Sequence, residues 1–216
     1  MQSAPSATFR SVVLFWRKIM VSRLRSLVVK RQELLGGCIV DADFVKRIEE
    51  AYEMISACFR SGHKLLIFGN GGSAAEAQHF AGELVCQFSH NRRALPAIAL
   101  TADTSILTAQ SNDYGFQTIF SRQIQALGNK GDVVVGMTTS DASEDEAHSL
   151  NILRAFETAQ RMGLDSIGLF SNKTQNLLRY VDVTICVPHT NTALIQEAHL
   201  MIVHILSEMI EEEYIK

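Results

Sequence analysis

The sequence predicts a doubly wound α/β fold, a parallel five-stranded sheet flanked by helices. Three observations predict it. Five short runs are apolar almost throughout: "KLLIFG" (64–69), "ALPAIAL" (94–100), "DVVVGM" (132–137), "DSIGLF" (165–170) and "DVTICVP" (182–188). Strands covered on both faces read this way. Each run is bounded by Gly, Pro, Asp or Ser, which punctuate strands. Stretches with helical spacing separate the runs, the alternation that lays helices over both faces of a parallel sheet.

The elements follow in order. Residues 1–32 contain seven Lys or Arg and no acid. Arg17, Lys18, Arg23 and Arg25 interrupt the apolar residues that a secretory signal would need unbroken. Met20 is expected to be the true start, with residues 1–19 a non-native or disordered extension; losing Arg10, Arg17 and Lys18 would take the net charge from -3 to -6. The main domain is then expected over 20–216. From about Arg23 to Arg60 the pattern is helical, with Phe44, Ile48, Tyr52, Ile55 and Cys58 recurring at spacings of three and four. "GGCIVDAD" is expected to separate two helices, with Asp41 or Asp43 capping the second. No later segment is expected to be long and apolar enough to span a bilayer.

Composition narrows the function. With 216 residues, 47% of them hydrophobic, the chain can bury one substantial core. A net charge of -3 gives no general attraction to nucleic acid or an anionic membrane, so an anion must be held by local geometry. The four cysteines, Cys38, Cys58, Cys86 and Cys186, are spread singly, as free thiols in a reducing cytosol would be.

In such sheets ligands bind beyond the carboxyl ends of the strands. Two loops occupy that place. "GNGGSAA" (69–75) frees the backbone to approach a ligand, and Ser73 could cap the following helix or donate to an oxygen. It lacks a P-loop lysine and is not a dinucleotide fingerprint, so alone it is equally a tight connection or an anion cradle. "GMTTSDAS" (136–143) sets Thr138, Thr139, Ser140 and Ser143 after a strand, hydroxyls suited to phosphate oxygens. Asp141, Glu144, Asp145 and Glu146 follow; they either complement a helix dipole or repel a phosphate.

His79 and Glu83 lie four apart on one face of the helix expected from Ser73. "LIQEAHLMIVHIL" offers Gln196, His199 and His204, with Gln196 and His204 about 80° apart around a helix. Leu200, Met201, Val203 and Ile205 surround His204, which is expected to be buried, as a hydrogen-bonded core residue or a catalyst. Together these residues could supply a general base, a general acid and N/O ligands for zinc. His63, His90, His148 and His189 are expected to face solvent.

"FGNGGSAAEAQHFAGEL", "AIALTADTSILTAQSNDYGF", "FSRQIQALGNKGDVVVGMTTS" and "IQEAHLMIVHIL" resemble, in order and spacing, the phosphoheptose isomerases, single sugar-isomerase (SIS) domains. The resemblance runs from about Met20 to the end. It implies a three-layer flavodoxin- or Rossmann-like sandwich and interconversion of sedoheptulose 7-phosphate with D-glycero-D-manno-heptose 7-phosphate, an early step toward bacterial surface glycans such as lipopolysaccharide. It implies Glu83 as the base between C1 and C2 and His204 as its acid/base partner. It implies zinc at His79, Glu83, Gln196 and His204, no redox cofactor, and substrate contacts at Asn70, Gly71, Gly72, Ser73, Asn112, Asp113 and Gln196 as well as the hydroxyl loop. It also implies a cytoplasmic homotetramer with active sites between subunits.

The chain departs from the pattern where the family's usual "STSGxS" reads "TTSDAS". Asp141 replaces glycine, and its removal is expected to tighten sugar phosphate binding. Two other readings are an isomerase of a different phosphosugar and a non-catalytic SIS protein of the kind that associates with the replication initiator. The latter relatives lack the acid/base pair that Glu83 and His204 supply here. A phosphosugar-sensing DNA-binding regulator would need a helix-turn-helix domain, which this chain does not carry.

Overall fold

The computed structural model describes residues 7–142 and 149–215. Helix α1 (Ala7–Val40) leads into α2 (Ala42–Arg60), then strand β1 (Leu65–Gly69), α3 (Gly72–Val85) and β2 (Ala97–Ala99). Next come α4 (Thr104–Tyr114), a 3-10 turn (Phe116–Thr118), α5 (Ile119–Leu127), β3 (Val133–Met137) and α6 (Leu150–Met162). Strand β4 (Asp165–Ser171), a second 3-10 turn (Leu178–Tyr180), β5 (Val183–Val187) and α7 (Thr192–Glu212) complete it. All five expected strands are present.

The sheet is parallel throughout, in the order β2-β1-β3-β4-β5, with Leu65 opposite Ala97 on one side and Val133 on the other. Strand order therefore reverses between β1 and β3, and at such a switch point the loops leaving the two strands part and open a crevice. Alternate side chains feed two cores. Leu65, Ile67, Val135, Leu169 and Ile185 pack with α2, α3 and α7; Leu66, Phe68, Val134 and Phe170 pack with α5 and α6. Period-two alternation of uniformly apolar residues fills both sides at once.

Two expectations about the helices change. Gly36 and Gly37 lie inside α1 rather than between helices, and the break falls at Asp41, whose Oδ1 accepts from the N–H groups of Asp43 and Phe44. Two helical glycines cost about 1 kcal/mol each, and burial of Cys38 with packing of Leu34 and Leu35 on the core offsets this. Helix α7 is long and apolar enough, by length and composition, to cross a membrane. Half of its apolar window is buried, and Ile195, Ile202, Val203 and Leu206 are fully enclosed, so its hydrophobicity is that of a core helix.

Candidate active site

The first loop leaves β1 at Gly69. Gly71 has φ 55 and ψ -118, a backbone conformation that side chains disfavour, and from it α3 starts. The helix begins at Gly72, so Ser73 is not its cap; it sits buried in the first turn, 3% exposed, and lines the cleft. A Cβ on Gly72 would lie 2.2 Å from Gln196 Nε2. Only a bare backbone lets the α7 side chain come this close.

The second loop leaves β3 and faces the first across the switch point. Thr138 Oγ1 donates to the Ser140 carbonyl and accepts from its N–H, a tight local turn. Thr139 is tied through its carbonyl to the Ser171 hydroxyl and through its hydroxyl to Thr192 at the start of α7. Between the loops opens a cleft of about 560 Å³ lined by Asn70, Gly71, Gly72, Ser73, Thr138, Thr139, Ser140 and Gln196, all expected from the sequence. Ser143 and His148, with Glu144, Asp145 and Glu146, lie outside the described residues.

The lining residues that were not expected include Phe116, Ser149, Asn151 and Thr192. Asn151 and Asn70 exchange amide hydrogen bonds of 2.9 and 2.7 Å, closing one wall of the cleft. Ser149 stands in the left-handed region at φ 52, immediately before α6, and makes no side-chain capping bond. Its signal in the sequence is "HSLNIL", a Ser at a helix start. Asn112 and Asp113 are not among the residues lining the cleft. They end α4, exposed, with Asn112 Nδ2 donating to Asp113 Oδ1.

Asp141 also points elsewhere. Both of its carboxylate oxygens accept from the N–H of Asn176, at 3.1 and 3.0 Å, and Oδ1 also from Ala142. Asn176 returns a bond to the Ala142 carbonyl. The acid therefore staples the β3 loop to the loop after β4, its carboxylate engaged by backbone donors instead of left free toward the cleft. Asp141→Gly should then cost about 1–3 kcal/mol of stability and weaken sugar phosphate binding. Tighter binding by calorimetry would restore the repulsion.

The second group lies farther along the contact of α3 with α7. His79 and His204 face each other, Nε2 to Nε2 at 2.8 Å, and His79 Nε2 is 3.1 Å from Glu83 Oε1. One donor atom from each of the three lies within 4.8 Å of the others. His204 is half-buried rather than enclosed, with the ring of Phe88 5.6 Å away. The enclosed histidine is His199, at 0% exposure, bonded to the Phe170 carbonyl. Gln196 is held against Gly72, roughly 10 Å of helix rise from His79. Within one chain it belongs with the cleft.

A family model described as SIS domain matches residues 40–171. A phosphoheptose isomerase of Geotalea daltonii is 43% identical over 193 residues, which are 89% of this chain and 96% of that one. The solved structure of a phosphoheptose isomerase from Neisseria gonorrhoeae superposes with a TM-score of 0.80 at 35% identity, covering 89% of this chain and 99% of that one. One from Francisella tularensis gives 0.81 at 34% identity, covering 89% and 98%.

Proposed function

The chain belongs to the phosphoheptose isomerase family of SIS domains and is an aldose-ketose isomerase, and from that premise we propose how its residues work and on what. The substrate pair is sedoheptulose 7-phosphate and D-glycero-D-manno-heptose 7-phosphate. The cleft at the switch point takes the phosphate: Ser73, Thr139 and Ser149 line it with hydroxyls, beside the backbone of Gly71 and Gly72. Backbone amides at the start of α3 favour an anion there.

Glu83 removes the proton from one of C1 and C2 and returns it to the other through an enediol. His204 gives and takes the proton at the sugar oxygens. The proton lost by one carbon is gained by the other, and the proton lost by one oxygen is matched by one gained at its neighbour; no electrons leave the substrate, so no redox cofactor is needed. The observation that carries this reading is the meeting of Glu83, His79 and His204 beside the seam that leads from the cleft.

The same donors suit zinc. Ligands about 2.05 Å from a tetrahedral ion stand about 3.3 Å apart, and the separations of 2.8 and 3.1 Å need little opening. His79, Glu83 and His204 would hold the ion, with Gln196 as the fourth ligand. Bound there, zinc would polarise the carbonyl and hydroxyl oxygens of the sugar. Because Gln196 sits with the cleft and the acid-base group lies farther along α3, a second copy of the chain would bring the parts together, in a homotetramer with sites between subunits. Exposed Leu24, Leu27, Val28 and Val29 on α1 and Ile39 and Val40 at its end supply apolar surface for such contacts. The free thiols Cys38, Cys58, Cys86 and Cys186 suit the cytoplasm.

The test is proton exchange by NMR, with purified protein, sedoheptulose 7-phosphate and D₂O, with and without added zinc. Formation of the aldose with deuterium at the carbon next to the carbonyl is the expected result. No exchange by folded protein would overturn this substrate.

A further inference from the structure

Behind the acid-base group lies a buried carboxylate that the reaction does not use. Glu211, near the end of α7, is 2% exposed. It accepts the N–H groups of three consecutive residues, Phe88 at 2.8 Å, Ser89 at 2.7 Å and His90 at 2.8 Å. Arg92 Nε lies 3.4 Å from it, both side chains being almost wholly enclosed. Burial opposes ionisation of Glu211, but the Ser89, Phe88 and His90 donors and the Arg92 charge together outweigh it and hold its pKa below the ordinary value. Successive backbone N–H groups form a nest that binds an anion; here the anion is the protein's own.

Both strands of this arrangement end on the acid-base residues. Arg92 Nη2 donates to the main-chain carbonyl of Glu83 at 2.6 Å, and Nη1 to that of Leu84 at 2.8 Å. These carbonyls belong to the last turn of α3, which has no further helical partners for them. Phe88, the first residue of the nest, places its ring beside that of His204. Glu211 is itself seven residues, about two turns, beyond His204 on the same helix. A single carboxylate thus holds the backbone of Glu83 on one side and the neighbour of the His204 ring on the other.

We propose that Glu211 is a positioning residue for the isomerisation, setting Glu83 and His204 relative to each other through Arg92 and the 88–90 segment. The inference rests on the reading of Glu83 and His204 as the acid-base pair. Removing the negative charge would leave Arg92 enclosed without its counter-charge, so the segment would shift. The two helices would stay packed, since the α3 and α7 core residues are untouched.

The test compares Glu211→Gln and Phe88→Leu with the native protein at a temperature below every melting transition. Expected for Glu211→Gln is a kcat lower by roughly 10- to 100-fold, as when a supporting shell is removed, with KM nearly unchanged and a shifted His204 imidazole resonance by NMR. Phe88→Leu, which leaves the Glu211 bonds in place, should lower kcat in the same direction with little change in melting temperature. Unchanged kcat and an unmoved His204 resonance in folded Glu211→Gln would overturn the proposal. If that variant does not fold, Phe88→Leu decides: a native kcat overturns it and a reduced one supports it. Glu83→Gln separates the two readings. If it is inactive while Glu211→Gln is native-like, positioning alone fails; if it is active, the acid-base reading fails, and the His204 resonance still reports positioning.

Discussion

Glu83→Gln should abolish isomerisation while leaving the fold intact. The substitution keeps the shape of the side chain and removes only its basicity. The main-chain carbonyl at this position remains held by Arg92, so the end of α3 does not move. Glu83 is half-buried, its Oε1 beside His79, and no core contact depends on its charge. Loss of a general base costs roughly 10²- to 10⁴-fold in rate, and deuterium incorporation from D₂O should fall with aldose formation. The comparison belongs at saturating zinc, because the same carboxylate is a proposed ligand. Near-native exchange with zinc bound would place the base elsewhere.

Gly72→Ala should give the second largest effect, again without unfolding. The new methyl would stand 2.2 Å from Gln196 Nε2 and 2.7 Å from its Cδ, closer than any real contact. What it meets is the end of a flexible side chain, so Gln196 swings away and the backbone stays. Alanine in a helical first turn is favoured over glycine by up to about 1 kcal/mol, which makes a native-like melting temperature the expected result. A displacement of about 1 Å in a positioned group can cost about 100-fold, and kcat/KM should fall by that order. Native kinetics would show that Gln196 does not touch the substrate or its metal.

Mixing these variants tests the shared site. Glu83→Gln keeps an intact cleft and Gly72→Ala keeps an intact acid-base group. If a site is built from two chains, a co-refolded mixture regains activity that neither variant has. No regain in a mixed oligomer would put the whole site within one chain.

Much of the fold was legible because burial on both faces leaves a local mark. "DVVVGM" has no polar residue inside the run and "DSIGLF" only Ser166, and runs this short and apolar, bounded by turn residues and alternating with helical stretches, read as interior strands. The pairing of His79 with Glu83 was legible for a similar reason, since four residues of helix bring two side chains to one face regardless of what lies around them. The glycine loop could be read as a sharp departure from a strand, and the positive φ at Gly71 is its physical basis.

Other features depended on which surfaces meet. His79 and His204 are 125 residues apart, and their contact arises only because α3 and α7 pack side by side on one face of the sheet. Nothing local in either helix states that neighbour. The amide pair of Asn70 with Asn151 and the direction of Asp141 toward Asn176 are of the same kind. A carboxylate in a loop reads alike whether it faces a phosphate or a row of backbone donors, and the difference is made by a second loop 35 residues away. The sequence by itself determined the elements, their order and the residue types available for chemistry, because periodicity and backbone freedom are properties of neighbours along the chain. The tertiary structure alone decided which of those residues meet, because docking is settled by the packing of whole helix and sheet faces, summed over the entire core.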